Sequence, residues 1–298
     1  MFSDGEVETD GFDAGFPFSD NVFAKDGIWQ KRELELFGAN LSEDLIQEFC
    51  EGTTKSGIHF DGTKNACAMF LRAGALNVQD SIEVLRKYLE NKRRCAQYYI
   101  KDNMTHIRSV LNLQNHIATL HRDSLGRRVF IIRPGRWDTN KATISDMYCV
   151  SAMLCEFMAT EFKSQISGSL VIFDGEGFGY SQLRTIGIQD AKNTADFMNC
   201  FPIWFRGIHI IRQPFVFNMA FNLIYPFLNE NAKKVLHCHG NDMESLHRFV
   251  DPRILPSEYG GSSGPFNNSQ IPDALCSFGD YFTSLKSWKL PSSKNGGT

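Results

Sequence analysis

Four short apolar runs, spaced by stretches with helical periodicity, most narrow the folds open to this chain. The runs are RVFII (128–132), SLVIFD (169–174), GIHII (207–211) and VLHCH (235–239), and helix-like sequence fills 145–163, 181–199 and 215–230. Strand and helix in alternation predict an α/β sheet with parallel crossovers. Runs 169–174 and 207–211 are apolar at every other position and between, as strands buried on both faces should be. Upstream the period changes. Residues 29–102 read as helical throughout, with Ser42 capping a short helix at Leu45, Ile46 and Phe49, a break at Gly74, and a longer helix starting at Asn77 or Asp80.

The chain has 298 residues, 42% hydrophobic and 22% charged. That suffices for a sizeable core and excludes a mostly disordered or collagen-like chain. The net charge of −3 argues against a dedicated nucleic-acid binder. Residues 1–26 carry seven acids and one base, so the rest of the chain is +3. This acidic, glycine-containing start reads as a disordered tail, and it has no apolar signal region. Eight cysteines without a C-x-x-C pair read as reduced thiols, and the expected location is cytoplasmic. The segment from Trp288 onward reads as frayed.

Several motifs do not resolve into sites. DGEGFG (174–179) lacks the third glycine of a dinucleotide loop, because position 180 is Tyr. His237 and His239 share a strand face, but two ligands do not make a zinc site. There is no G-x-S-x-G elbow, and Cys149 and Cys155 fall in an apolar helical run where thiols pack inertly. Catalysis is not expected, nor a cofactor or metal.

The segment PFVFNMAFNLIYPFL (214–228) is apolar around almost its whole circumference; its only amides are Asn218 and Asn222. Such a helix must be covered on most sides. At about 15 residues it is too short to span a bilayer. Two readings stay open: a buried core helix, or a lid that closes a lipid cavity and opens into a membrane interface. Lys233 and Lys234 follow directly, and Arg206 and Arg212 flank the preceding strand, so a contact with anionic lipid is open as well.

FLRAG (70–74), GRRVFIIRPGRWD (126–138), VIFDGEG (171–177), the stretch 201–228, HCHG (237–240) and ILPSEYGG (254–261) follow one another in an order that resembles the CRAL-TRIO family of lipid-binding proteins. The resemblance implies a small all-helical N-terminal domain, then an α/β domain whose mainly parallel sheet floors an apolar cavity under a helical lid. It divides the chain into a disordered acidic tail (1–28), a helical N-terminal domain (29–105), the lipid-binding domain (106–262) and a C-terminal extension and tail (263–298). It implies carriage of one small hydrophobic ligand (a retinoid, a tocopherol-like molecule or another lipid) between membranes by a monomer docked peripherally on phosphoinositides. A phosphoinositide-binding adaptor that carries nothing is the alternative.

Residue by residue, the resemblance makes Tyr148, Ser151, Cys155, Phe173, Phe197 and Ile208 cavity positions. Phe215, Phe217, Phe221, Leu223 and Ile224 become the lid, and Arg206 and Lys233 the phosphoinositide contacts. Cys155 stands where tocopherol-carrying members have a serine, and Trp204 and Gly74 stand where they have basic residues.

Overall fold

The computed structural model describes residues 22–24, 27–96, 104–267 and 269–291. Most of the predicted acidic tail lies outside the described residues. The N-terminal unit is built from helices α1 (Gly27–Phe37), α2 (Glu43–Lys55), α3 (Lys64–Ala73) and α4 (Val78–Arg94). Side-chain caps start three of them: Ser42 Oγ accepts from the Leu45 amide, Thr63 Oγ1 from that of Ala66, and Asn77 Oδ1 from that of Asp80. Gly74 ends α3 where the start of α4 passes close by; a Cβ there would meet the Ser81 backbone nitrogen at 2.5 Å.

Two features tie this unit to the rest of the chain. The fully buried Arg72 donates to Glu33 Oε1 (2.7 Å), Gln165 Oε1 (2.6 Å) and the Val22 carbonyl (2.6 Å). Val22, predicted to belong to the disordered tail, is therefore buried; a lone valine gives no periodic signal by which to foresee this. Trp288 packs against Phe60 (4.8 Å between ring centroids), Phe70 and Tyr88, and Lys289 and His59 exchange both backbone hydrogen bonds at 2.8 Å. The predicted fraying from Trp288 is thus corrected at Trp288 and Lys289. Their partners lie far back in sequence, beyond the reach of local pattern; residues 292–298 lie outside the described residues.

Helix α5 (Met104–Leu111) leads into strands β1 (His116–Arg122) and β2 (Arg128–Ile132). Then come α6 (Ile144–Thr160), α7 (Phe162–Ser167), β3 (Ser169–Asp174), α8 (Tyr180–Leu183), α9 (Ile188–Cys200), β4 (Phe205–Ile211), α10 (Phe215–Ile224), α11 (Glu230–Lys234) and β5 (Leu236–Gly240). Helices α12 (Met243–His247), α13 (Gln270–Ser277) and α14 (Gly279–Ser284) complete the described chain. The sheet order is β1-β2-β3-β4-β5, with β1 antiparallel to β2 and the other pairs parallel. The mixed α/β fold with a mainly parallel sheet is therefore as predicted, and β1 is an addition.

Strand β1 reads HIATLHR and buries His116, Thr119 and Arg122, so it has no apolar run to betray it. Arg122 and the neighbouring Arg128 both pair with Glu161 at the end of α6, at 2.8 and 2.5 Å. Burial would push the Glu161 carboxyl up, but the two guanidiniums hold it below the usual carboxylate range.

Register aligns two cross-strand rows on one sheet face: Phe130–Val171–Ile208–Leu236 and Ile132–Phe173–Ile210. The opposite face, with Val129, Ile131, Leu170 and Ile172, packs on Leu246, Val250, Ile254 and Tyr259. Helices α6, α9 and α10 cover the first face, as expected for successive crossovers of one hand between strands laid down in order.

Candidate functional site

Between that first face and the helices lies a cavity of about 200 Å³. Its floor is the aligned rows, where strand alternation turns every second side chain inward. One wall is α6, set by a capping box in which Thr143 and Asp146 satisfy each other's end groups. Tyr148, Ser151 and Cys155 follow at helical spacing and all line the cavity, together with Phe173, Phe197 and Ile208. The structure thus brings the six cavity positions together.

The polar side chains of this wall are wired to protein. Tyr148 Oη donates to the Asp190 carbonyl (3.0 Å) and touches Thr194 Oγ1, which donates to the same carbonyl (2.8 Å). Trp137 Nε1 donates to the Ala142 carbonyl at 2.8 Å. His116 bonds Asn115 Oδ1 through Nδ1 (2.7 Å) and Ser151 Oγ through Nε2 (2.8 Å). Burial pushes the His116 imidazole down to about 3, so it is neutral at pH 7. Burial pushes the Cys155 thiol well above its ordinary range, which leaves it an unreactive packing group.

The roof is α10. Phe217, Phe221 and Ile224 line the cavity, and Phe217 meets Phe178 edge-on at 5.5 Å. Phe215 and Leu223, also predicted for the lid, point the other way: Phe215 is 74% exposed, and Met219 and Leu223 about 40%. The expectation that this helix is covered on most sides is corrected. Among the described residues α10 rests mainly on α8, α9 and the cavity side, and its outer face, where Asn218 and Asn222 sit beside Phe215, Met219 and Leu223, is exposed. Ile188, which opens α9, and Tyr180, which opens α8, are also exposed. Pro226, inside a turn of 3-10 helix at Tyr225–Phe227, prevents the helix from continuing.

The two predicted phosphoinositide contacts sit at the N-terminal ends of neighbouring parallel strands, Arg206 in β4 and Lys233 just before β5. Arg206 lies over the Trp204 ring (4.8 Å) and feels the charges of Arg32 and Arg127; burial, then those charges, lower its pKa. Lys233 pairs with Glu230 at 2.9 Å and lies over Tyr225. The two bases therefore have different neighbours. Trp204 closes part of the space by donating Nε1 to the Arg72 carbonyl.

The DGEGFG loop is structural. Asp174 takes a bidentate pair from Arg212 (3.0 and 2.5 Å) and a hydrogen bond from Tyr259. His237 and His239 stack with His209 on the face away from the cavity, and His209 Nδ1 lies 3.0 Å from His239 Nε2. Among the described residues no group of His, Cys, Asp and Glu is arranged to hold a metal. Sequence reasoning missed His116, Thr194 and Phe178 as lining residues. His116 opens β1, the strand that pairs with RVFII, and no local pattern marked it.

The CRAL/TRIO domain profile matches residues 113–261, half of the chain, and the protein belongs to this family. It is 27% identical to rat (Rattus norvegicus) clavesin-1 over 232 residues, covering 76% of this chain and 65% of that protein. It is equally 27% identical to human (Homo sapiens) clavesin-2 over 227 residues, 72% of this chain and 67% of that one. The chain thus spans about two thirds of the length of these relatives. Among solved structures it is similar to that of Sfh5, with a TM-score of 0.47 and 12% identity over 88% of this chain and 98% of the other.

Proposed function

We propose that the protein binds one small hydrophobic molecule in the cavity under α10 and transfers it between membranes. The observation that carries this reading is the two-sided apolar roof. Phe217, Phe221 and Ile224 face an apolar cavity, while Phe215, Met219 and Leu223 lie on the exposed outer side. A helix with apolar groups on both faces has a use for each if it closes on a ligand and opens against lipid. Among the described residues no helix is long and apolar enough to cross a membrane, so contact with lipid is peripheral in this reading. A volume of about 200 Å³ falls below the roughly 300–1,000 Å³ of pockets that hold drug-sized ligands. Loading a retinoid- or tocopherol-sized molecule therefore displaces α10 outward. A ligand that buries about 400 Å² of apolar surface gains roughly 10 kcal/mol before association costs, so release requires a membrane to receive it.

Organic extraction of the purified protein with mass spectrometry tests the reading. A stoichiometric apolar lipid is expected, and an empty protein that still docks on vesicles would overturn carriage. A second reading, phosphoinositide docking in a cytoplasmic monomer, is favoured by Arg206, which has no carboxylate partner among the described residues and sits beside Arg32 and Arg127. Arg206→Ala with Lys233→Ala should then weaken binding to phosphoinositide vesicles, at about 1 kcal/mol per base, and leave the apolar ligand bound. Equal binding of wild type to neutral and phosphoinositide vesicles would remove this reading.

A further inference from the structure

The direction of the hydrogen bonds that lead to Ser151 in the cavity wall can be read off, and it constrains the ligand. Asn115 Nδ2 donates to Met147 Sδ at 3.1 Å, which fixes Asn115 Oδ1 as the atom facing His116 Nδ1. Nδ1 therefore carries the proton. The imidazole is neutral because of its burial, so Nε2 is an acceptor. The 2.8 Å contact between Nε2 and Ser151 Oγ is then a bond donated by serine. With its proton committed, Ser151 turns only oxygen lone pairs to the cavity that it lines.

The other lining donors are also committed to protein. Trp137 donates to the Ala142 carbonyl, and Tyr148 and Thr194 both donate to that of Asp190. Among the described lining side chains only the weak S–H donor of Cys155 is left. A ligand that brings an oxygen acceptor and no donor would lose its hydration with little in return. One that brings a hydroxyl finds an oriented acceptor in Ser151.

We infer that the cavity selects a hydrophobic alcohol over its aldehyde, ether or ester, with the ligand hydroxyl donating to Ser151 Oγ and His116 acting as the positioning residue that holds Ser151 as an acceptor. This rests on the carrier reading and adds the chemical class of the cargo.

Retinol, retinyl methyl ether and retinaldehyde form a matched probe set that differs at one end. Their affinities can be read from quenching of tryptophan fluorescence, since Trp137 lines the cavity. Retinol should bind about tenfold more tightly than the ether, the size of one net neutral hydrogen bond. Ser151→Ala should bring retinol down to the ether and leave the ether unchanged. His116→Phe removes the acceptor and frees the serine proton, so retinaldehyde should gain on retinol, an exchange that a merely structural role for His116 would not produce. Equal wild-type affinity for the three probes overturns the inference, and that ratio needs no variant to fold. So does equal weakening of all three by Ser151→Ala. If extraction yields a lipid without an O–H group, the inference falls and the carrier reading stands. If no lipid is extracted and none of the probes binds, both fall.

Discussion

Replacing Phe215 by serine separates what α10 does for the fold from what it does at a membrane. Phe215 is 74% exposed, whereas Phe217, two positions on, is 8% exposed. A phenylalanine offers on the order of 200 Å² of apolar surface, so about 150 Å² of Phe215 faces water. At roughly 25 cal/mol per Å² its full burial in lipid would contribute about 4 kcal/mol. A side chain in the wet interfacial zone keeps about half its contact with water by geometry, which leaves about 2 kcal/mol, or roughly 30-fold in partitioning. Flotation with neutral phosphatidylcholine vesicles measures that ratio without a contribution from anionic headgroups. Folding stability, followed by urea denaturation, should stay within about 0.5 kcal/mol of wild type, as for other surface changes. Phe217→Ser is the contrast, because it empties a packed site against Phe178 and should cost about 3–5 kcal/mol of stability. If Phe215→Ser floats with vesicles as wild type does, the outer face of α10 is not a membrane contact. If it unfolds as readily as Phe217→Ser, the helix is an ordinary core element.

Ser151→Trp should fill the cavity, abolish co-extraction of lipid and cost about 1–3 kcal/mol in urea denaturation; unchanged loading would show that the ligand lies elsewhere. His116 and His209 are both pushed down to about 3, His116 by burial and His209 by burial and then by His239, His237 and Arg127, so each favours the folded state when neutral. Their contribution is fully present above about pH 6.5 and is lost as pH falls toward 3. Each should cost about 2 kcal/mol between pH 7 and pH 5, and a flat stability profile over that interval would contradict the burial argument. Arg72→Met strands the buried Glu33 carboxylate and should cost about 3–5 kcal/mol, with partial recovery in the double variant that adds Glu33→Gln; no recovery would mean that the guanidinium matters through Gln165 and Val22 instead.

Strands β2 to β5 were legible because each is a short apolar run between helical patterns, and such runs need no knowledge of their partners. Strand β1 was not, because His116 and Arg122 are made burial-compatible by Ser151 and Glu161, which come later in the chain. The lid shows a different limit. Positions 217, 221 and 224 share one helix face and 215, 219 and 223 the other; Asn218 and Asn222, both exposed, lie on the second face and mark it as the outer one, but the apolar groups beside them masked how much of that face is left to solvent. Tyr148 and Ser151 could be placed on a cavity by resemblance. The direction of their hydrogen bonds depends on Asp190, Asn115 and His116, which only packing brings near.

The packing of Trp288 against the N-terminal helices sets a timetable for the nascent chain. Phe70 and Trp288 are 218 positions apart, yet their rings, with Phe60 and Tyr88, share one aromatic cluster, and Lys289 closes the backbone pairing to His59. At about 5–20 residues per second, the ribosome makes Trp288 roughly 10–40 s after Phe70. For that interval α3 and α4 hold an open aromatic socket, exposed to chaperones or to a neighbouring chain on the same message. Helices α3 and α4, made well before Trp288, are thus sealed only after it emerges.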